Sequence, residues 1–407
     1  MTCISLSKLQ GLSDAEVTAT LQKAIDETHQ KGGGTVCLKA GKAVCGSLEL
    51  RSGVELCLAH GSELTASGDP ALFPPLADHD PSITANSKAG ALIQAKGADN
   101  IALTGTGRIR GGGEAQNKPD WKTAQDLFRP GMVYLEDCEG VRFENISLLE
   151  SRWWTMHLRR CRKIRVRGVT MNSTWPNSDG IDPDGCRDIL ISDCHLICGD
   201  DCIVVKSTNG DNCENMVVTN CLLETSCAAL KVGTESFGAF RNITLSNCVC
   251  RSHVGVGIYL KDGGLAENIQ ASNLVLDCYS AYPILMDAMP RYYDSGKPAG
   301  HIRNIRVSNC TVRSGGRVWI EGDRPGAVTN ISLHGIDWTL TEPLPEKPLP
   351  KPAGSARITI DPDRPAFEEN RSHIIARQVE NLKVGDWSLS GADADQRQNP
   401  LVAEVKK

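Results

Sequence analysis

Apolar and polar residues alternate in short runs that return along this chain at a near-constant interval. The runs are "VRFENISL" from Val141, "IRVRGVTM" from Ile164, "ILISDCHL" from Ile189 and "MVVTNCLL" from Met216. They continue with "ITLSNCVC" from Ile243, "IQASNLVL" from Ile269, "IRVSNCTV" from Ile305 and "ISLHGIDW" from Ile331. Each opens on apolar–x–apolar alternation, the period of a strand with one buried face. The intervals between them are 23, 25, 27, 27, 26, 36 and 26 residues. A repeat of that length predicts a solenoid, in which each unit buries its apolar face against its neighbours. The fifth position of the unit holds Asn145, Gly168, Asp193, Asn220, Asn247, Asn273, Asn309 and Gly335. These are the residue types that best tolerate left-handed backbone, so the chain bends there in every coil and the asparagines can stack into a ladder. The sixth holds Ile146, Val169, Cys194, Cys221, Cys248, Leu274, Cys310 and Ile336, a column of interior hydrophobes in which cysteine is a small apolar residue.

A unit of about 25 residues has room for three short strands between Gly/Asn/Asp turns. The fold class predicted is therefore all-β: a single-domain right-handed parallel β-helix over residues 1–407. "GTVCLKAG", "GSLELRSGVELCLAHGSEL" and "NIALTGTGRIRG" supply its first coils. Before them, Ser13 and Glu16 stand at capping-box spacing, with Val17, Leu21, Ala24 and Ile25 on one face. This predicts a capping helix over about 13–30, with coils over about 34–390 and a frayed tail at 391–407. The 36-residue interval predicts a protruding loop at 281–298, and "TEPLPEKPLPKPAG" a proline-rich excursion. "RITI" from Arg357 and "LKVGDW" from Leu382 complete the last coils.

Composition narrows the classes. Of 407 residues, 40% are hydrophobic, and the net charge is −5. That is ample for a sizeable core and gives no electrostatic footprint for nucleic acid or an anionic membrane. No apolar run reaches membrane-spanning length. "MTCISLSKLQ" lacks a basic region followed by an apolar stretch, so the expected location is cytoplasmic, or secreted or periplasmic if a leader was trimmed. The 17 cysteines are odd in number and show no recurring metal-type pairs, so they read as reduced core residues rather than a disulfide or zinc framework. No motif implies a metal or an organic cofactor, and nothing reports oligomeric state.

Candidate chemistry lies in "NSDGIDPDGC", 177–186, and "CGDDC", 198–202. Polar turns are rich in Asp and Gly for backbone reasons alone, and Asp182 and Asp184 read as such turn acids, bonded to backbone amides. Asp179 and Asp201, however, are 22 residues apart, close to one coil, and coils stack about 4.8 Å apart. Asp179, Asp200 and Asp201 should therefore converge on one outer face. Like charges in contact raise one another's pKa, a cost that a structural turn gains nothing from. Glycosidic cleavage uses it, because one carboxyl must be protonated and another ionised across the scissile bond.

These motifs together resemble the polygalacturonase family, glycoside hydrolase family 28, whose pattern is N-T-D-G-x-D followed by G-D-D. "GGGTVCLKAGKAVCGSLELRSGVELCLAHGSEL" and "RPGMVYLEDCEGVRFENISLLESRWWTMHL" extend the resemblance over most of the chain. It implies that Asp200 is the general acid and that Asp179 and Asp201 activate water from the opposite side of the sugar. It also implies inversion, with carboxyl groups about 6.5–9.5 Å apart. Asn177 would hold the turn or a sugar hydroxyl, and Lys206 falls where the family often has a lysine near the cleft. Two positions depart. The family's histidine position holds Ala228, and its R-I-K clamp for the galacturonate carboxylate reads "YLK", with Tyr259 for arginine and Lys261 retained. Arginine grips a carboxylate bidentately and tyrosine does not. Lys231, Glu235, His253 and Arg291 are available to shape a different subsite, though His253 reads equally as a turn residue. Trp153 and Trp154 read as partly core, and Tyr292 and Tyr293 as cleft-bordering residues of the inserted loop.

The reading that follows is an inverting glycoside hydrolase of pectic glycans, with galacturonate or rhamnogalacturonan-type carbohydrate as its partner. The inserted loop favours a cleft closed at one end, hence exo action. Two alternatives stand beside it, a polysaccharide lyase on the same fold and a non-catalytic glycan-binding solenoid. The acid pairs weigh against the lyase, which needs an exposed basic residue beside a calcium cluster.

Overall fold

The computed structural model describes residues 1–75, 90–291, 298–341, 372–391 and 402–405. Tyr292, Tyr293, the proline-rich excursion beyond residue 341 and "RITI" from Arg357 lie outside the described residues. The chain forms two compact units, Met1–Asp200 and Asp201–Lys407. Each is built of parallel strands that pair with the strand one coil earlier and one coil later. The fold class is the right-handed parallel β-helix that the repeat predicts, with the handedness that connections between parallel strands adopt.

In the first unit one sheet runs through Gly34–Lys39, Val54–Leu58, Ala102–Gly105, Glu139–Glu144, Arg162–Arg167 and Arg187–Ser192. A second runs through Ile93–Lys96, Val133–Glu136, Met156–Arg159 and Ile181–Asp184. In the second unit Met216, Ile243, Ile269, Ile305, Ile331 and Leu382 stand in register on consecutive strands, so the first apolar position of the repeat is one continuous interior column. The sixth position behaves likewise: Ile146, Val169, Cys194, Cys221, Cys248, Leu274, Cys310 and Ile336 are all buried. All 17 cysteines are free thiols, and only Cys3, Cys37, Cys57 and Cys227 are not fully buried. Burial pushes the Cys45 and Cys278 thiols up to about 12, as a low-dielectric interior does to any acid.

All eight fifth-position residues have left-handed backbone, with φ between 54° and 64°. A longer ladder, not expected from the repeat, forms one residue before its first apolar position. Asn242 donates to Asn215, Asn268 to Asn242, Asn304 to Asn268, Asn330 to Asn304 and Asn381 to Asn330, at 2.6–3.4 Å. Each of these asparagines also has positive φ, so one side chain tolerates the bend and satisfies its neighbour.

The helix is Asp14–Gln30, with the Ser13–Glu16 capping box formed and Val17, Leu21, Ala24 and Ile25 buried. Gln22 ties it to the first coils by bonds to both the amide and the carbonyl of Glu49. No helix among the described residues is long and apolar enough to cross a membrane. Two expectations need correction. Residues 281–288 are not loop: they end the strand Val275–Ala288, which pairs with Val249–Tyr259 and Val318–Gly322. "PILM" is buried there, and apolar burial holds it in the sheet; the register against the preceding coil shifts between Ser252 and Val254, just before it, and again between Tyr259 and Leu265, so the extra residues are split around it. The expected tail also contributes structure, since Val402–Val405 pairs with Ile374–Arg377, adding to what would be an open sheet edge.

Candidate active site

In the first unit the motif turn follows the strand Thr170–Ser173. Asn177 takes φ 60°, a conformation asparagine tolerates. Its side-chain oxygen accepts from Arg129 Nη1 at 3.2 Å and from Gln125 Nε2 at 3.3 Å, while Arg129 Nη1 also donates to the Pro176 carbonyl at 3.0 Å. Asn177 thus holds the turn. Arg129 is buried, with its guanidinium 4.4 Å from the Trp153 ring centroid. Burial lowers its pKa to about 10, and the cation–π contact partly offsets that desolvation. Thr155 N–H donates to the Asp179 carbonyl at 2.9 Å, and Asp179 is buried.

The amide of Gly199 donates to Ser178 Oγ at 3.1 Å. A Cβ at residue 199 would stand 2.2 Å from the Trp175 carbonyl oxygen and 2.6 Å from Ser178 Oγ, so only glycine admits this approach. The bond brings the Asp179 turn beside the stretch carrying Asp200, which is half-buried. Asp182 and Asp184 prove not to be turn acids. They lie in the strand Ile181–Asp184, fully buried, and Asp184 Oδ2 faces His157 Nε2 at 3.1 Å. Burial of a carboxylate demands such a partner. Trp153 is buried and Trp154 half-buried, their rings stacked with centroids 6.0 Å apart.

In the second unit Asp201 is buried between two donors, Lys231 Nζ at 2.7 Å and the Ala228 amide at 3.0 Å. Both favour a carboxylate anion. Ala228 therefore serves through its backbone. Lys231 also lies 5.0 Å from the centre of the Tyr259 ring. Tyr259 is in the core with Val254, Tyr282, Leu285 and Trp319, so it supports Lys231 from beneath rather than facing a substrate. Lys261 is buried against Asp287, Nζ to Oδ2 2.5 Å, and is committed to that partner. Arg291 grips Asp262 through two bonds of 2.7 and 2.8 Å and approaches Glu235 at 3.6 Å. Lys206 Nζ reaches Glu235 Oε2 at 3.3 Å. His253 is half-buried, which lowers its pKa, and its amide donates to the Cys227 carbonyl.

Arg129, Ser178, Asp262 and Asp287 were not singled out from sequence. Their bonds to Pro176, Gly199, Arg291 and Lys261 span 47, 21, 29 and 26 residues, and no local pattern relates such positions.

Burial by itself raises the Glu235 carboxyl, but Lys206, then Arg291 and Lys231, overcome it and bring the group to about 2. The depressed value sets the sign: this stabilisation is complete above the ordinary 4.5 and is lost as pH falls through about 2. Glu235→Gln is therefore expected to lower resistance to denaturant above pH 4.5, with the difference from wild type shrinking as pH approaches 2. A difference independent of pH would refute this assignment.

A family model described as glycosyl hydrolases family 28 matches residues 63–340. A probable polygalacturonase of Vitis vinifera is 28% identical over 288 residues, 63% of this chain, and the match spans 58% of that relative's length. An endo-polygalacturonase of Pectobacterium carotovorum subsp. carotovorum is 24% identical over 344 residues, 79% of this chain and 84% of its own. Among solved structures, an exopolygalacturonase from Thermotoga maritima shares the fold with a TM-score of 0.65 at 20% identity, over 83% of this chain and 87% of that one.

Proposed function

The chain belongs to glycosyl hydrolases family 28, and on that premise we propose that it is an inverting, exo-acting glycoside hydrolase of pectic glycans, of galacturonate or rhamnogalacturonan type. Asp200 is the general acid that protonates the leaving oxygen. Asp179 and Asp201 activate the attacking water from the other face of the sugar. Inversion calls for a carboxyl separation of about 6.5–9.5 Å to admit that water.

The observation that carries it is the Gly199–Ser178 hydrogen bond, which keeps the Asp179 turn beside the Asp200 stretch. Support comes also from Asp201, whose carboxylate is held in place by Lys231 and the Ala228 amide. The relatives' names, polygalacturonases of plant and bacterial origin, support the pectic substrate class.

Digestion of pectic oligosaccharides is expected to release new reducing ends without the ultraviolet absorbance of an unsaturated uronate, and to yield one short product from the earliest time points. Absorbance that grows with the reducing ends identifies a lyase instead. A spread of product sizes at early times refutes exo action.

A further inference from the structure

Resting on the reading above, we propose that Glu235 is a resident stand-in for a substrate carboxylate: it fills the Lys206–Arg291 cation pair, so the sugar that binds against this patch is uncharged. Each Glu235 oxygen takes one cation, Oε2 facing Lys206 Nζ at 3.3 Å and Oε1 facing Arg291 Nη2 at 3.6 Å. Two cations that share the two oxygens of one carboxylate make the arrangement that recognises a planar anion. The exposures show which side is open. Lys206 is 4% exposed and Arg291 18%, whereas Glu235 is 32% exposed, so the carboxylate stands between the cations and solvent.

The surrounding charges are closed as well. Lys231 is held by Asp201, Lys261 by Asp287, and Arg291 by Asp262 in addition to Glu235. Among the described residues, each of these four cations thus faces at least one carboxylate. A uronate arriving here would have to displace Glu235 or bring an uncompensated anion beside it, and like charges at contact are repulsive even at an exposed site. A neutral sugar pays neither cost, and its hydroxyls can donate to the outward Glu235 oxygens. A plain counter-ion role, in which Glu235 only neutralises the buried Lys206, makes a different prediction about specificity.

The test compares wild type, Glu235→Gln and Glu235→Ala in the full chain. One arm measures kcat/KM on oligogalacturonides and on oligosaccharides in which galacturonate alternates with rhamnose. Wild type is expected to prefer the alternating substrate. Glu235→Ala is expected to shift the ratio of the two toward oligogalacturonide by roughly tenfold or more, the value of one charge-assisted bond. A second arm titrates digalacturonate by calorimetry at low and high salt. The alanine variant is expected to bind it in a salt-sensitive manner and more tightly than wild type does. An unchanged ratio, or equal digalacturonate affinity in wild type and variant, overturns the proposal. Should wild type cleave neither substrate, the hydrolase reading fails, and the digalacturonate titration still decides the role of Glu235.

Discussion

Asp200→Asn is expected to reduce kcat by about 10²–10⁴-fold, the usual contribution of a positioned general acid, with little change in stability. The amide keeps the shape of the carboxyl but cannot surrender a proton to the leaving oxygen. Asp200 is half-buried, so the substitution opens no core cavity and should leave the free energy of unfolding within about 0.5 kcal/mol of wild type, as for most partly exposed positions. Steady-state kinetics on a pectic oligosaccharide checks it. A substrate that carries a good leaving group, which needs no protonation, should be spared much of the loss. If Asp200→Asn leaves turnover intact, Asp200 is not the acid and another group protonates the leaving oxygen; if wild type shows no turnover and both proteins bind the glycan equally, a glycan-binding solenoid becomes the better account.

The second large effect concerns stability. Asp287 is fully buried and its Oδ2 lies 2.5 Å from Lys261 Nζ, itself 3% exposed. Asp287→Asn leaves an ammonium in the sheet interior without that compensating charge, and breaking a buried pair from one side costs about 3–5 kcal/mol. Denaturant unfolding is the check. Replacing both partners, as in Lys261→Met with Asp287→Leu, should recover much of the loss, because it is the isolated charge and not the missing attraction that is expensive. A double variant as unstable as the single one would show that the pair does more than neutralise itself. A loss below about 1 kcal/mol would show that the pair is effectively solvated. The pairing also explains why a lysine retained from the family pattern need not grip a substrate: Lys261 already has a carboxylate.

The coil period was legible because the bend leaves a compositional trace. Asn220, Asn247, Asn273 and Asn309 sit where left-handed backbone excludes most side chains, and the cysteine and aliphatic column follows directly behind them. The second ladder is interrupted in the sequence: its column holds Asn100, Gly140, Lys163 and Asp188, all at positive φ, before the unbroken run of asparagines that starts at Asn215. The strand 275–288 was hidden by a count, since a 36-residue interval fixes how many residues are extra but not where they fall. Within the site, spacing predicts that Asp179 lies beside the Asp200 stretch; the neighbouring residues Gly199 and Ser178 are joined by a hydrogen bond. Side-chain partners were beyond reach. Whether Lys231 turns to Asp201 or to solvent, and whether Arg291 takes Asp262 as well as Glu235, depends on rotamers and a register shift between Val205 and Ser207. No one-dimensional pattern records those.

A single displacement by water across three aspartates leaves its mark in the anomeric configuration of the first product. Proton NMR during hydrolysis of a defined α-linked pectic oligosaccharide, recorded before mutarotation equilibrates the sugar, reads it out. With inversion, the β-anomer is expected to appear first. Initial appearance of the α-anomer, retention of configuration, would require a covalent glycosyl intermediate and carboxyl groups only about 5–5.5 Å apart, and would contradict the roles given to Asp179, Asp200 and Asp201.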